Sequence, residues 1–580
     1  MHRHAGALAF VVVASLYTRR GNANVAHLEG NFTNKEVPAG EYKHDWSVPS
    51  FKKTSNERIN WVQKRIPEID ELYENHVKKE HIPGAIYGIV VDGKLIHTRS
   101  FGFQNTCTTE QLAVSVDTST RFRIASMTKS FTAMAIMILV EEGRLNLSDP
   151  ITKFVPSFAG DRRSTRDAPI ITVEHLLTMQ GGLPQDDPWG DRLLNASDED
   201  LAIIVDNIHL EMSTSPGTVF EYSNLGYALL GLVIKSVTGM PYQQFISEAI
   251  LSPLEMNDTT FEIDDSPVSK LALGYRYEPG QDEYISEPML HDGSFGAMGG
   301  IISTLDDYVK YVVFHMAAWP PCNTPEELYI SSSPSSKARY PPVTRQTLRI
   351  MHSPLAIDSV LKDALFCSHK NAPAQVIGYG MGLRWSMDSN GLVIIRHAGG
   401  LPGFGSEWRF ARDHGVAVIS FGNRTYSPMW SVNATALDMI IYHPFEGVDE
   451  GERVLMARCY TQPPSALALR AIQVKREISM LWCNEDKLKT LSDSDGWNRN
   501  DIFAENFFLD HSLRSRHEEL LNLMAKVGGG FSSISDIVPL NQLRASFVLT
   551  GIAGKKINVL FTLTPTQPPK VQSLNFTLVE

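Results

Sequence analysis

The stretch Phe122-Arg123-Ile124-Ala125-Ser126-Met127-Thr128-Lys129-Ser130-Phe131, running on through TAMAIMILVEE to Gly143, decides how the chain is read. From Ser126 to Glu142 it is dense in Ala, Met, Leu and Ile, and Gly143 supplies a stop, so the segment predicts a helix. Its apolar content predicts that the helix is buried and central. Ser126 at its start and Lys129 one turn on then stack on one face. A serine hydroxyl is inert near neutral pH unless a base takes its proton, and lysine serves only where burial and nearby positive charge make it give up its own. The helix start also aims its amides at a reacting carbonyl, which makes the Ser126 N–H one half of a candidate oxyanion hole. Ser-x-x-Lys alone is a weak signal. Ser50-Phe51-Lys52-Lys53 matches it too, in a polar stretch with no apolar helix behind it.

Outward from this helix, Ile66, Ile69, Leu72, Tyr73 and Val77 recur at helical spacing, predicting a helix over Asn60 to Val77 that Pro83-Gly84 ends. GAIYGIVV and KLIHTRSFG flank Asp92-Gly93, a pair that accepts the positive φ of a tight turn, and so predict a β-hairpin. Beyond Ser126 come helical stretches over Val173 to Thr178, Leu225 to Thr238, Tyr242 to Ile250 and Leu305 to His315, so the middle reads as all-helical. Trp319 to Pro342 holds six prolines and many serines and reads as an irregular surface insertion. LVIIRH (Leu392 to His397), SEWRFARD (Ser406 to Asp413) and VAVISFG (Val416 to Gly422) then read as consecutive strands. Strands at both ends with helices between imply one sheet closed by distant segments. The expected fold class is α/β, an α+β sandwich: an antiparallel sheet flanked by helices, an all-helical region, and a smaller C-terminal α+β module.

A chain of 580 residues is too long for one core. The division expected is a signal peptide over 1–26, a hydrolase-like domain over 60–445, and a C-terminal helix plus small α+β module over 446–580. In the last, Cys459 to Thr490 reads as polar helix, Asp493 to Asn500 as a linker, Ser515 to Lys526 as a helix, and RASFVLTG, KKINVLFTLTP and VQSLNFTLV as strands. It has no cluster of catalytic-looking side chains, which points to binding, shielding or stabilisation.

Two further constellations bear on chemistry. Tyr222-Ser223-Asn224 stands directly ahead of the helical run LGYALLGLVIKSV. A tyrosine there can act as a second acid/base, and Asn224 can orient a substrate amide or the Lys129 ammonium; the plainer alternatives are a packed ring and a helix cap. His397-Ala398-Gly399-Gly400 closes the strand LVIIRH. Glycines there let a substrate lie close to the strand edge, and a free N–H can complete the oxyanion hole.

The ordered triple Ser126-x-x-Lys129, Tyr222-x-Asn224 and His397-x-Gly399 resembles the penicillin-recognising serine hydrolases: class C β-lactamases, DD-peptidases, D-aminopeptidases and related esterases. PGAIYGIVVDG, FRIASMTKSFTA, LLTMQGGLP, PGTVFEYSNLGYALLG, AMGGIISTLDD, YGMGLRW and RHAGGLPGF resemble family phrases too, over about Ile69 to Gly422. The resemblance implies that Ser126 is acylated, that Lys129 accepts its proton, and that Tyr222 protonates the leaving group. It implies further that Asn224 contacts the substrate amide, that the amides of Ser126 and Gly400 hold the oxyanion, and that His397 sits beside Tyr222. Family β-lactamases and DD-peptidases carry Lys in the third motif. A mostly neutral His397 attracts a substrate carboxylate less well, which favours a general ester or amide hydrolase, with β-lactams and D-amino-acid peptides as narrower options.

The formal charge of −12 and a pI near 5.9, with no long basic run, speak against nucleic acid as a partner. The expected partner is a small molecule or short peptide, with no metal or other cofactor; oligomeric state stays open. The run Ala5 to Tyr17 suits a signal peptide and is too short for a membrane span. With the sequons at Asn31, Asn146, Asn195, Asn257, Asn423, Asn433 and Asn575 it points to the secretory pathway. Cys107, Cys322, Cys367, Cys459 and Cys483 form no CxxC pair, and Cys322 to Cys367 is the bridge to test first. There is no Gly-x-Ser-x-Gly elbow and no His-Glu-x-x-His. The rival of a different class is a catalytically silent binding or scaffold protein that kept the fold.

Overall fold

A computed structural model describes residues 55–105, 113–158, 165–184, 191–207, 212–263, 270–319, 341–361, 375–388, 391–442, 474, 503, 513–535, 538–541, 544–564 and 570–579. The segment read as a signal peptide, the Ser50-x-x-Lys53 match, Asn31, all five cysteines, the body of the proline-rich insertion and the 493–500 linker lie outside them.

The hairpin forms where the sequence puts it, β1 over Gly84–Val91 and β2 over Lys94–Gly102. Six more strands complete its sheet: β3 Ala356–Leu361, β4 Gln375–Tyr379, β5 Arg384–Asp388, β6 Val393–Leu401, β7 Phe404–Ala411 and β8 Val416–Gly422. The order is β2-β1-β8-β7-β6-β5-β4-β3, with every neighbour antiparallel. Strand β1 therefore pairs not only with its hairpin mate but with the last strand, Ala85 opposite Gly422 and Val91 opposite Val416. All of β1 is buried because the sheet is covered on both faces.

Alternation sorts the side chains. Ile86 and Val90 of β1, Trp408 and Phe410 of β7, and Ile419 and Phe421 of β8 face one core, formed with the helical region. Tyr87, Ile89 and Val91 face a second core, closed by α1 (Ser55–Gln63), α2 (Ile66–Lys79) and, after β8, a C-terminal helix over Met429–Tyr442. The helix read as continuous from Asn60 is two, broken around Arg65 with Pro67 in the first turn of α2, where a missing N–H costs nothing. The helical region contains α3 (Thr128–Glu141) and α4 (Asn224–Thr238). It is not all-helical: Phe122–Arg123 pairs with Ile302–Ser303, and Tyr275–Glu278 with Glu283–Ser286.

Near the C-terminus, a helix over Leu513–Lys526 accompanies five antiparallel strands, of which Arg544–Gly551, Lys556–Leu563 and Val571–Val579 match the alternating runs. Phe547, Leu549, Val559 and Phe561 build a core of their own there. No described helix is long and apolar enough to cross a membrane.

Two sequons are structural asparagines. Asn423 and Asn433 are fully buried. The Asn423 amide accepts from the Gly84 N–H at 2.6 Å and donates to Phe103 O at 3.2 Å. Asn433 accepts from Ser420 Oγ at 2.7 Å and donates to Glu407 Oε2 at 2.6 Å. Asn146, Asn195, Asn257 and Asn575 are exposed.

Candidate active site

Backbone pairing delivers Ser126. The Ile124 N–H donates to Ile301 O at 3.0 Å, which ties the short Phe122–Arg123 strand to the loop before Leu305. Ala125 then takes φ +51°, a left-handed conformation costly for a side chain bearing Cβ. The sequence places Ser126 in the first turn of an α-helix; it sits instead in a 3₁₀ turn, Ala125–Met127, from which α3 continues. From Thr128 to Leu139 every residue of α3 is buried, the condition for a rigid mount.

Lys129 is fully buried, and its Nζ donates to Ser126 Oγ at 3.0 Å, to Asn224 Oδ1 at 2.7 Å and to Met298 O at 2.8 Å. An ammonium has three donors, and all are used. Two of these partners, an amide oxygen and a carbonyl oxygen, can only accept. A neutral amine keeps two N–H groups, which stay on those two acceptors and leave the lone pair aimed at the Ser126 hydroxyl. The rings of Tyr222 and Tyr227 lie 5.0 and 5.7 Å from the same Nζ and add cation–π attraction.

Tyr222 and Asn224 arrive together at the start of α4, where Ser223 is the N-cap and accepts from the Gly226 N–H. The cap pins the turn, so Asn224 points inward to Lys129 while the half-buried Tyr222 faces the cleft. His397 stands within β6, which runs on to Leu401 rather than ending at the histidine. Its ring is 6.5 Å from that of Tyr222, yet both its nitrogens are engaged elsewhere: Nδ1 lies 2.7 Å from Ala398 O and Nε2 lies 3.1 Å from the Tyr379 hydroxyl. A carbonyl accepts only, so Nδ1 carries the proton and Tyr379 donates to Nε2. Burial first, and then the Lys129 charge, hold His397 well below the usual histidine range, so the ring is neutral.

Gly399 brings β6 against the turn that carries Ser126, since a Cβ there would lie 2.2 Å from Ile124 O and 3.1 Å from Ala125 Cβ. Gly400 follows beside the Tyr426 ring. Ser126, Tyr222, His397, Gly399 and Gly400 all line a cleft of about 650 Å³, whose other walls include Phe220, Glu221, Asp358, Arg384, Tyr426 and Trp430. The structure thus brings every sequence-derived site residue to one place, with Lys129 and Asn224 beneath the floor. Among residues missed from sequence, Tyr379 and Arg384 lie within the word YGMGLRW, which carried their signal; the Met298 carbonyl has none, being backbone.

The Beta-lactamase family model matches residues 69–439, and the chain belongs to that family, within the penicillin-recognising serine hydrolases. It is 36% identical over 250 residues to Protein flp of Staphylococcus aureus (strain MW2), covering 42% of this chain and 48% of that protein. Beta-lactamase-like protein 2 of Dictyostelium discoideum is 30% identical over 265 residues, 45% of this chain and 47% of that protein. The chain spans about half the length of these curated relatives in each match. In fold it is similar to the octameric penicillin-binding protein homologue from Pyrococcus abyssi, with a TM-score of 0.53 at 19% identity, covering 89% of this chain and 96% of that one.

Proposed function

We propose that this protein is a serine hydrolase that cleaves carboxylic esters or amides through an acyl-enzyme on Ser126. The observation that carries this reading is the 3.0 Å contact between Lys129 Nζ and Ser126 Oγ, with the other two Nζ partners limited to accepting. In the first half-reaction, Lys129 takes the Ser126 proton as Oγ bonds to the substrate carbonyl carbon. The oxyanion is held by the N–H groups of Ser126 and Gly400. The scissile C–O or C–N bond then breaks as Tyr222 gives its hydroxyl proton to the leaving group and regains one from the Lys129 ammonium, so that Lys129 is again a neutral base when the acyl-enzyme has formed. In the second half-reaction, water gives a proton to the base, attacks the acyl carbon and releases the acid, which restores the Ser126 hydroxyl.

Asn224 orients the substrate amide as well as Lys129. His397 acts through Tyr379 and β6, and its neutral ring offers no charge to a substrate carboxylate, which favours esters and simple amides over β-lactams. The substrate is a small molecule or short peptide, sized by the cleft, and the protein works in the secretory pathway.

The test is intact-mass spectrometry after treatment with a fluorophosphonate, followed by peptide mapping. The expected result is a single adduct on Ser126, absent in Ser126→Ala together with ester turnover. Unchanged turnover in Ser126→Ala overturns the reading.

A further inference from the structure

The Met298 carbonyl is open to Lys129 because the helix that carries it stops at once. Gly296–Gly299 is a single turn. The Ile301 and Ile302 N–H groups, which would close the next bonds of a longer helix, go to Thr128 Oγ1 at 3.2 Å and to Thr260 O at 2.7 Å. A turn this short does not hold itself, since the first turn of a helix fixes several residues for one hydrogen bond. Its position is set from outside. On one side α3 grips it, through Lys129 on Met298 O at 2.8 Å and Thr132 Oγ1 on Ala297 O at 2.6 Å.

Asp292 and Arg123 supply the other ties. The Asp292 carboxylate is folded into the turn: a Cβ on Gly296 would lie 2.3 Å from Oδ1, and one on Gly300 would lie 2.0 Å from the same atom. Neither glycine has a positive φ, so close approach and not backbone freedom keeps side chains out here. Gln243, in the helix over Tyr242–Ile246, donates to Asp292 Oδ2 and, at 3.3 Å, to Gly293 O. Arg123 lies in the short strand that leads to Ser126, and it donates to Leu290 O and, at 3.1 Å, to Gly300 O. One guanidinium thus spans the segment from before Asp292 to the end of the turn, and its charge faces the same carboxylate, with Glu262 as the other charged group near both. Burial pushes Asp292 up to about 7, against the pull of the Gln243 hydrogen bond and of Arg123. The carboxyl therefore tolerates a proton near neutrality, and its shape and hydrogen bonding matter to the turn as well as its charge.

We propose that Asp292 is a positioning residue for Lys129: with Arg123 it seats the Gly296–Gly299 turn so that the Met298 carbonyl meets the lysine amine. It touches neither the cleft nor the reacting atoms and acts only through that backbone oxygen. The inference deepens the acyl-enzyme reading and rests on it for turnover, but on the Asp292 and Arg123 geometry alone for the placement of the turn.

The test measures the second-order rate of fluorophosphonate labelling at Ser126 in the full chain, as a rate per labelled molecule, so that a reduced folded fraction lowers the extent and not the rate. Asp292→Ala is expected to slow labelling about tenfold, the size of one lost charged hydrogen bond. Asp292→Asn, which keeps the bulk and an acceptor for Gln243, recovers most of that loss. The decisive readout is a double-variant cycle with Asn224→Ala. Both changes act on one amine, so Asp292→Ala should cost about twofold or less once Asn224 is gone, whereas a merely structural role would multiply in full. A second arm needs no chemistry: amide deuterium uptake over Gly293–Ser303 should rise in Asp292→Ala and return toward wild type in Asp292→Asn. Gln243→Ala moves both readouts in the same direction by a smaller factor and serves if Asp292→Ala folds poorly. Wild-type labelling in Asp292→Ala, the same fold loss with and without Asn224, or unchanged deuterium uptake overturns the inference and leaves the acyl-enzyme reading standing. A wild-type chain that takes no label at Ser126 overturns both.

Discussion

The ammonium of Lys129 lies closer to Asn224 Oδ1, at 2.7 Å, than to Ser126 Oγ, at 3.0 Å. In the acyl-enzyme reading proposed above, Asn224 then belongs to the base as well as to the substrate contact. In Asn224→Ala one N–H of the neutral amine loses its acceptor, and the lone pair is no longer directed at Ser126. The expected loss in the second-order rate of fluorophosphonate labelling is about 10- to 100-fold, within the range for a misplaced general base. A labelling rate within twofold of wild type contradicts this role.

Gly399→Ala adds a single methyl group where Ile124 O would be 2.2 Å and Ser406 Oγ 2.4 Å away. Strand β6 must withdraw from the turn that carries Ser126. A fall in kcat/KM of about 100-fold is expected, the scale of a 1 Å misplacement, with the far-ultraviolet circular dichroism of the wild type retained. Full activity in this variant means that β6 does not set the position of Ser126.

Acid should unfold this protein through its buried histidines. Trp319 Nε1–H donates to His352 Nδ1 at 2.9 Å, which leaves the His352 proton on Nε2 to bridge to His315 Nδ1 at 2.8 Å, an arrangement that works with both rings neutral. Burial pulls His315 down to about 3 and holds His352 and His397 well below the usual range. In the unfolded chain these groups bind protons near pH 6.5, so below that value the unfolded state binds more protons than the folded one. Their stabilisation is complete above about pH 6.5 and is lost progressively as pH falls toward the folded-state values. The melting temperature should therefore drop between pH 7 and pH 4, and less steeply in a His315→Leu/His352→Leu double variant. A double variant with the wild-type slope assigns the acid sensitivity to other groups.

If the protein is made in a glycosylating secretory host, glycopeptide mapping should find sugar only among the exposed sequons Asn146, Asn195, Asn257 and Asn575 of those described. Asn423 and Asn433 spend their amides on buried hydrogen bonds and cannot reach a transferase in the folded chain. Sugar at Asn433 would require the Met429–Tyr442 helix to be displaced.

Legibility followed the kind of signal each feature sends. The hairpin and β8 were readable to the residue, because alternation and a turn pair are local properties. Strands β3, β4 and β5 are not legible in the sequence: they are short, β4 contains Gly378, and β3 and β4 flank the segment 362–374 rather than other strong strands. Ser126, Lys129, Tyr222, Asn224 and His397 were legible because each side chain sits in a recognisable word. The carbonyl of Met298 could not be, since a backbone acceptor leaves no mark on residue type. Nor could the orientation of His397, whose partner Tyr379 is set by strand register. Sequons misled at Asn423 and Asn433 because three residues carry no information on burial.

The pairing of Ala85 with Gly422 sets an order of events during synthesis. The hairpin leaves the ribosome early, while the strand that seals its open side is among the last parts of the domain to appear. Until then the hairpin has a bare edge, and such long-range closure is slow. A message that stops short of β8 therefore yields a sticky fragment rather than a weak enzyme, and reactivity is withheld until translation of the whole domain is done.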